Sequence, residues 1–221
     1  MKKGVKAMFA AVLIFAILLS CAFPCFAQGE AEPQADENKI VARASILSCM
    51  YFFPVSGHTW LYVENLSDEP ITVGLYEVPV GQGVSIGSFA FTSRDGFGIY
   101  YNLEAYRENL NDNEMNHWAI TRDLNQAALE KLSGDIAGYI NGWSFYFNCA
   151  FFTFSVWNKN SNNFFIPLVI PAITQLELIM GGAKKGVVDM YYPTVDQIYR
   201  QKGSGKSAKL VPVSQATIDA S

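Results

Sequence analysis

The stretch Trp143–Trp157 constrains the fold most strongly, because it combines a helix start, an apolar helix face and a cysteine. Asn148 is a good N-cap residue, since its side chain can accept from the free amides of a first helical turn. The residues that follow it predict one face of an amphipathic helix. That face, at spacing i, i+3, i+4, i+7 and i+8, comprises Cys149, Phe152, Thr153, Val156 and Trp157.

Cys149 therefore lies in the first turn of the predicted helix. The unpaired N–H groups and the helix dipole at that end favour a thiolate over a thiol. A cysteine in this position is suited to act as a nucleophile or to form half of a disulfide. The rest of the chain must distinguish these two possibilities.

Residues 1–27 have the features of an export signal, and we expect cleavage after Ala27. Lys2, Lys3 and Lys6 precede the apolar run Ala7–Phe23. Cys21 offers an alternative as the lipid-carrying cysteine of a lipoprotein, although the leucine before Ser20 is unusual in such a signal. The apolar run is short for a membrane anchor that is retained. We therefore expect the protein to be secreted or in the cell envelope, with no stable membrane insertion after processing.

Cleavage removes three lysines and no acidic residue, so the formal net charge goes from −4 to −7. This acidic balance, with no basic cluster among the aromatic residues, argues against nucleic-acid binding. Residues 28–39 have a disordered composition, and residues 202–221 that of a flexible tail. Residues 40–201 are long enough for one domain with a sizeable core.

Several segments alternate apolar and polar residues as strands do, and they precede the segments with helical spacing. This order predicts an α+β fold with antiparallel hairpins. His58–Glu64 alternates strictly, so His58, Trp60 and Tyr62 share one face. Ile71–Val78 reads as its return strand. We expect the Cys149 helix to pack on the His58 face.

That packing brings His58 toward Cys149 and makes it the candidate base. If the hairpin turn is centred on Ser67 and Asp68, Glu77 lies opposite His58 and becomes the candidate orienting residue. A slip of one residue in the register would put Tyr76 or Val78 there instead. His117 is assigned a structural role.

Three features of the sequence together resemble a known family. They are Gly57-His58-Thr-Trp on an early strand, a return strand that carries a glutamate, and Asn148-Cys149-Ala-Phe-Phe at the start of a late helix. It is the circularly permuted papain-like branch of the NlpC-type cysteine peptidases and amidases, related to lecithin:retinol acyltransferase-like proteins. In that branch the histidine strand precedes the cysteine helix, as it does here. The resemblance spans roughly residues 40–157.

The resemblance implies that Cys149 is the nucleophile, His58 the base and Glu77 the third, polar member. The backbone N–H of Cys149 contributes to the oxyanion hole. Trp60, Tyr62 and Asn148 are the candidate substrate-binding residues. The implied activity is a thiol-dependent hydrolase acting on a peptide or other amide, including cell-wall peptides, or an acyl transferase. The crowding of Phe151, Phe152 and Phe154 also allows a lipid-like acyl ligand.

Two other classes stay open. A non-catalytic module of the same fold could bind glycan or peptide through Trp60 and Tyr62. Alternatively, Cys49 and Cys149, the two cysteines beyond the export signal, could form a disulfide in a structural protein. No cofactor is expected, because no cluster of Cys, His and carboxylates has metal-ligand spacing and no phosphate-binding loop is present.

Overall fold

The computed structural model describes residues 39–52, 56–90, 97–110, 117–140, 148–167 and 170–219. These ranges form the predicted α+β fold, with a large antiparallel sheet and helices packed against it. The predicted export signal and residues 28–38 of the predicted lead-in lie outside the described residues.

Eight strands of the described ranges form one sheet in the order β10-β9-β6-β5-β2-β1-β7-β8, and every neighbouring pair is antiparallel. The short strands β3 and β4 form a separate hairpin. The strands are β1 (Ile40–Phe52), β2 (Ser56–Asn65), β3 (Ile71–Val73), β4 (Tyr76–Val78), β5 (Gly83–Phe89), β6 (Gly98–Tyr101), β7 (Trp118–Asn125), β8 (Lys184–Lys185), β9 (Tyr199–Lys202) and β10 (Lys209–Pro212).

The helices of the described ranges are α1 (Leu103–Leu110), α2 (Gln126–Ala137), α3 (Cys149–Asn160), α4 (Pro171–Met180) and α5 (Gln215–Asp219). The cysteine-bearing helix α3 lies where the sequence predicts a helix. The helix α4 coincides with the short helix that the sequence predicts between Pro171 and Met180, before Gly181 and Gly182. Asp123 with Gln126 three residues later resembles a capping box and predicts a helix that starts after Asp123. The helix α2 begins instead after Asn125, whose side chain accepts from the amide of Ala128. Asp123 lies instead in β7, where it pairs with Arg43 at 2.8 Å.

The two faces of the sheet carry different cores, because successive residues of a strand point to opposite sides. On one face, Leu61 and Val63 of β2 pack with the helices α2, α3 and α4 in the main apolar cluster. On the other face, Trp60 and Tyr62 pack with Ala105 of α1 in a second cluster. Fully burying one such aliphatic or aromatic side chain stabilises the fold by about 1.5–3 kcal/mol.

The C-terminal residues are more ordered than their composition indicates. Residues 202–221 are predicted as a flexible tail, yet β10 continues the main sheet beyond β9, and Ile218 of α5 is buried against Tyr100 and Leu103. The prediction fails because β10 pairs with β9, which pairs in turn with β6, and α5 packs into this small apolar cluster. The contacts with β6 and with the cluster are not local in sequence, so the composition of the segment does not reveal them.

Candidate active site

Cys149 begins α3, as predicted. The side chain of Asn148 accepts from the amide of Phe151 at 3.2 Å, which is the predicted N-cap. The helix then buries its apolar face, including Phe152, Val156 and Trp157. Cys149 itself is half-buried. The amide of Cys149 belongs to the first turn and therefore has no carbonyl partner within the helix.

The start of α3 lies where β2 separates from β5. The β2–β5 ladder pairs Leu61–Glu64 with Gly83–Ile86. Thr59 lies beyond the end of this ladder, and its backbone groups hydrogen-bond with side chains of α3 instead. Thr153 donates its hydroxyl to the carbonyl of Thr59 at 3.0 Å, and the Thr59 N–H hydrogen-bonds the sulfur of Cys149. The thiol is thus held beside the residue that follows His58.

The packing face of α3 differs from the prediction. The helix lies on the Leu61 and Val63 face of β2, not on the face of His58, Trp60 and Tyr62. Cys149 nevertheless reaches His58, because it is the first residue of the helix and lies at the end of the β2–β5 ladder. The imidazole hydrogen-bonds the thiol, so the structure brings together the two residues that the sequence singles out.

The second partner of His58 is Glu104. Its Oε1 lies 3.2 Å from Nε2 of the imidazole, and both side chains are buried. The hydroxyl of Ser85 donates to the other oxygen, Oε2, at 2.9 Å, and accepts from the amide of Ala105 at 3.2 Å. The carboxylate is therefore held at both oxygens, and the imidazole ring is fixed between a thiol and a carboxylate.

A sharp change of backbone direction brings Glu104 to this position. Asn102 has a φ of 70°, a left-handed conformation that asparagine adopts more readily than most residues. Its amide donates to the carbonyl of Ser85 at 2.8 Å, and its side chain donates to the carbonyl of Gln197 at 3.0 Å. The chain consequently leaves β6 and enters α1 with Glu104 in the first helical turn. The sequence of residues 98–104 predicts one continuous strand instead, so the helix start is a correction to that prediction.

Gly87 of β5 provides the space that the His58–Glu104 pair occupies. A Cβ atom at this position would lie 1.7 Å from Oε1 of Glu104 and 3.0 Å from Nε2 of His58. Any side chain other than hydrogen is therefore incompatible with the observed pair. The sequence predicts a strand over residues 84–92 and gives no sign of this role for Gly87, because the group it accommodates comes from a distant helix.

Aromatic rings surround the imidazole. His58 stacks on Trp60 with ring centroids 5.7 Å apart and planes 15° apart, and Phe89 lies 4.4 Å away on centroids. Burial of His58 by itself lowers its pKa. The thiolate of Cys149 and the carboxylate of Glu104 outweigh burial and raise the pKa of His58 to about 9.

The thiol is shifted in the opposite direction. Burial by itself raises the pKa of Cys149, but the charge and hydrogen bond of His58 and the N–H groups of Thr59 and Ala150 outweigh it. The pKa of Cys149 therefore lies below its ordinary value. Between the two pKa values the pair exists as a thiolate and an imidazolium, the charge state that a cysteine nucleophile needs.

The position of Glu77 is a correction to the sequence prediction. Glu77 is exposed on β4 and pairs with Thr72 of β3, whereas the cross-strand partner of His58 is Cys49 of β1. The predicted return strand is a separate hairpin, broken at Gly74, whose φ of 62° is a left-handed turn conformation. A long return strand beside His58 does exist, but it is β1, which precedes β2 in the chain.

Two of the three candidate binding residues, Trp60 and Tyr62, are buried, and the third, Asn148, is the helix cap. Trp60 and Tyr62 are 0% and 3% exposed, beneath α1 and residues 188–191, so their rings do not form an open surface for glycan or peptide. The hydroxyl of Tyr62 accepts from the amide of Tyr191 at 2.7 Å. The Asn148 side chain caps α3, as described above.

Cys49 and Cys149 are not joined in a disulfide. Cys49 is 1% exposed and packs with Leu47 and Trp60, so the disulfide interpretation is not the arrangement found. Within the described residues, no group of three or more His, Cys, Asp or Glu side chains could hold a metal ion. None of the described helices is long and apolar enough to cross a membrane.

Comparisons with protein-family models, with curated proteins and with solved structures find no match to this chain.

Proposed function

We propose that the protein is a thiol-dependent hydrolase or acyl transferase of the permuted papain-like type, with Cys149 as nucleophile, His58 as acid and base, and Glu104 as the orienting carboxylate. The observation that carries the proposal is the position of His58, which hydrogen-bonds both the thiol and a buried carboxylate. This is the nucleophile–base–orienter arrangement on which covalent acyl transfer depends.

In the first half-reaction the Cys149 thiolate attacks the carbonyl carbon of an amide or ester and forms a C–S bond. The backbone N–H of Cys149, in the first turn of the helix, is the proposed donor to the resulting oxyanion. The imidazolium of His58 gives its proton to the leaving amine or alcohol as the C–N or C–O bond breaks. The products of this half-reaction are a thioester, a neutral imidazole and the released group.

In the second half-reaction His58 takes a proton from water or from an acceptor nucleophile, which attacks the thioester carbon. The C–S bond breaks, the acyl group leaves as an acid or a new ester or amide, and the thiolate–imidazolium pair is restored. Because Nε2 faces Glu104, we assign Nδ1 of His58 to both proton transfers. Glu104 keeps the ring in this orientation and stabilises its charged form.

The substrate class follows from the expected location. With an export signal at residues 1–27 and a net charge of −7 after its removal, we propose that the protein acts outside the cytoplasm on peptides or other amides, with cell-wall peptides as the first class to test. Acyl chains of lipid character are the second class, because aromatic residues are numerous on both sides of Cys149 in the sequence.

Covalent labelling tests the proposal. Incubation with p-nitrophenyl acetate is expected to release nitrophenolate and to leave an acetyl group on Cys149, found by peptide mapping and removed by hydroxylamine. Iodoacetamide is expected to label Cys149 at pH 6.5, where an ordinary thiol of pKa about 8.5 is almost wholly protonated.

Cys49 is the internal control, because its buried thiol should react only after denaturation. The Cys49→Ala variant should keep both reactions, and Cys149→Ala should lose both. Labelling of Cys149 only at and above pH 8.5, or acetylation only at other residues, contradicts the proposal. An unreactive Cys149 in a well-folded protein favours the non-catalytic module instead.

The Glu104→Gln variant tests the orienting carboxylate. Expulsion of an amine needs a protonated His58, whereas nitrophenolate leaves without a proton, so the pH–rate profile is measured with an acyl p-nitroanilide, and its rate should fall as the pH rises through about 9 in the parent protein. A carboxylate stabilises the imidazolium, so its removal lets His58 lose its proton at a lower pH. The descending limb of the pH–rate profile should therefore move to lower pH by about one unit or more. An unmoved limb excludes Glu104 from this role.

A further inference from the structure

A second buried histidine–glutamate pair lies beside the site and has no part in the chemistry described above. Nδ1 of His117 is 3.4 Å from Oε1 of Glu108, and the two residues are 4% and 5% exposed. His117 immediately precedes β7, which lies two strands away from β2 in the sheet. The prediction of a structural role for His117 therefore needs refinement.

The two pairs share one short helix. Glu104 and Glu108 are four residues apart on α1, so their side chains lie on the same helix face. Glu104 contacts His58 on β2, and Glu108 contacts His117 on the far side of β1. Between them, Ala105 packs into the apolar cluster of the sheet face. The helix is thus attached to the sheet by a charged side chain at each end of its buried face.

Trp60 joins the two histidines directly. His58 stacks on its ring, and His117 meets it edge-on, with centroids 6.1 Å apart and planes 77° apart. The two histidine–glutamate pairs therefore belong to one contiguous cluster of buried side chains.

Stability alone is a weak explanation for the second pair. Burying two charged or polar groups costs desolvation free energy that their attraction often fails to recover. Oε2 of Glu108 is buried and has no hydrogen-bond partner among the described residues. A directional contact does, however, select one rotation and one axial position of a helix, which apolar packing against Ala105 alone does not.

We propose that Glu108 and His117 are positioning residues: their contact fixes the register of α1 and thereby holds the Glu104 carboxylate on His58. The inference rests on the proposed function, because it assigns the pair a role in maintaining the Cys149–His58–Glu104 arrangement. Neither residue is proposed to touch the substrate.

Other titratable groups act on the same pair and must be held constant in any test. Glu108 interacts electrostatically with Tyr62 and Tyr192, and both tyrosines also interact with Asp189. His58 faces Cys149 and Glu104, and it lies opposite Cys49 in the β1–β2 ladder. Variants should therefore change Glu108 and His117 alone.

The experiment is an NMR titration of the imidazole ring protons, which is simple because the chain has only two histidines. In the parent protein His58 should lose its proton near pH 9. In Glu108→Leu the midpoint should fall by at least about half a pH unit, in the same direction as in Glu104→Gln. Asn109→Ala, an exposed change on the same helix, is the matched control and should leave the midpoint unchanged.

Two further variants separate positioning from a general loss of structure. Glu108→Leu combined with His117→Leu replaces the pair by apolar side chains and is expected to fold as stably as the parent, yet still to lower the His58 midpoint. Adding Glu108→Leu to Glu104→Gln should cause no further shift, because the effect passes through Glu104.

The outcomes distinguish the two proposals. If His58 in the parent protein titrates near 6.5, the thiolate–imidazolium pair of the proposed function is absent. If the parent titrates near 9 and the folded double leucine variant does so too, the pair has no positioning role. A fully additive shift in the Glu104→Gln background also overturns the inference.

Discussion

Replacement of His58 by alanine is expected to reduce turnover of p-nitrophenyl acetate by about 10³-fold, within the range that a positioned acid–base group contributes. The same change removes the charge and the hydrogen bond that lower the pKa of Cys149. Burial disfavours the thiolate and is then less fully offset, so the pKa of Cys149 rises. The rate of iodoacetamide labelling at pH 7 should fall by about tenfold or more, because few of the thiols are ionised.

The two measurements are informative together. The Thr59 and Ala150 amides still face the sulfur in the His58→Ala variant, so labelling should recover at high pH while turnover does not. Circular dichroism and a thermal melt establish that the variant is folded. Labelling at pH 7 that equals the parent rate means that His58 does not activate the thiol, and the proposed mechanism then fails.

Replacement of Gly87 by alanine is expected to separate Glu104 from His58 without changing either residue. The new Cβ lies 1.7 Å from the position of Oε1, so the carboxylate must move out of hydrogen-bond distance of the imidazole. Inserting one methyl group into such a packed site costs about 1–3 kcal/mol in the free energy of unfolding. The descending limb of the pH–rate profile should shift to lower pH, as in Glu104→Gln.

Gly134→Ala is the matched control for Gly87→Ala. Among the described residues, no heavy atom outside its own helix neighbourhood lies within 4 Å of a Cβ added at Gly134. A helical alanine is also more stable than glycine by about 0.5–1 kcal/mol. A further check measures the free energy of unfolding in urea for Gly87→Ala, for Glu104→Ala and for the variant that carries both changes. The alanine at position 87 should be less destabilising when Glu104 is already truncated, and strictly additive losses contradict the proposed clash.

The local features of the site were predictable from the sequence. Asn148 as a cap, Cys149 in the first turn and the apolar face of α3 all follow from the preferences of residues close together in the chain. The alternation of His58–Glu64 likewise defines which β2 side chains share a face. These predictions hold because a helix cap and the two-residue period of a strand depend mainly on local backbone geometry.

The carboxylate was not predictable in the same way. Glu77 was expected because sequential strands often pair, but the segment after β2 closes on itself at Gly74 and forms its own hairpin. Glu104 instead depends on the left-handed Asn102, on Ser85 and on the missing side chain of Gly87. A signal did exist in the sequence: Leu103–Leu110 contains no strong helix breaker, and its two glutamates are four residues apart.

The sequence by itself determined that a cysteine begins a capped helix and that a histidine lies on a preceding strand, because both depend on short-range backbone preferences. Only the tertiary structure decided that the thiol meets this histidine and not Cys49, and that Glu104 orients the ring. The thiol reaches the histidine because β2 separates from β5 at Thr59 and leaves room for the start of α3. Glu104 reaches it because the turn at Asn102 places α1 on the opposite face of the sheet. These contacts join residues 46 to 94 positions apart, and no local pattern encodes them.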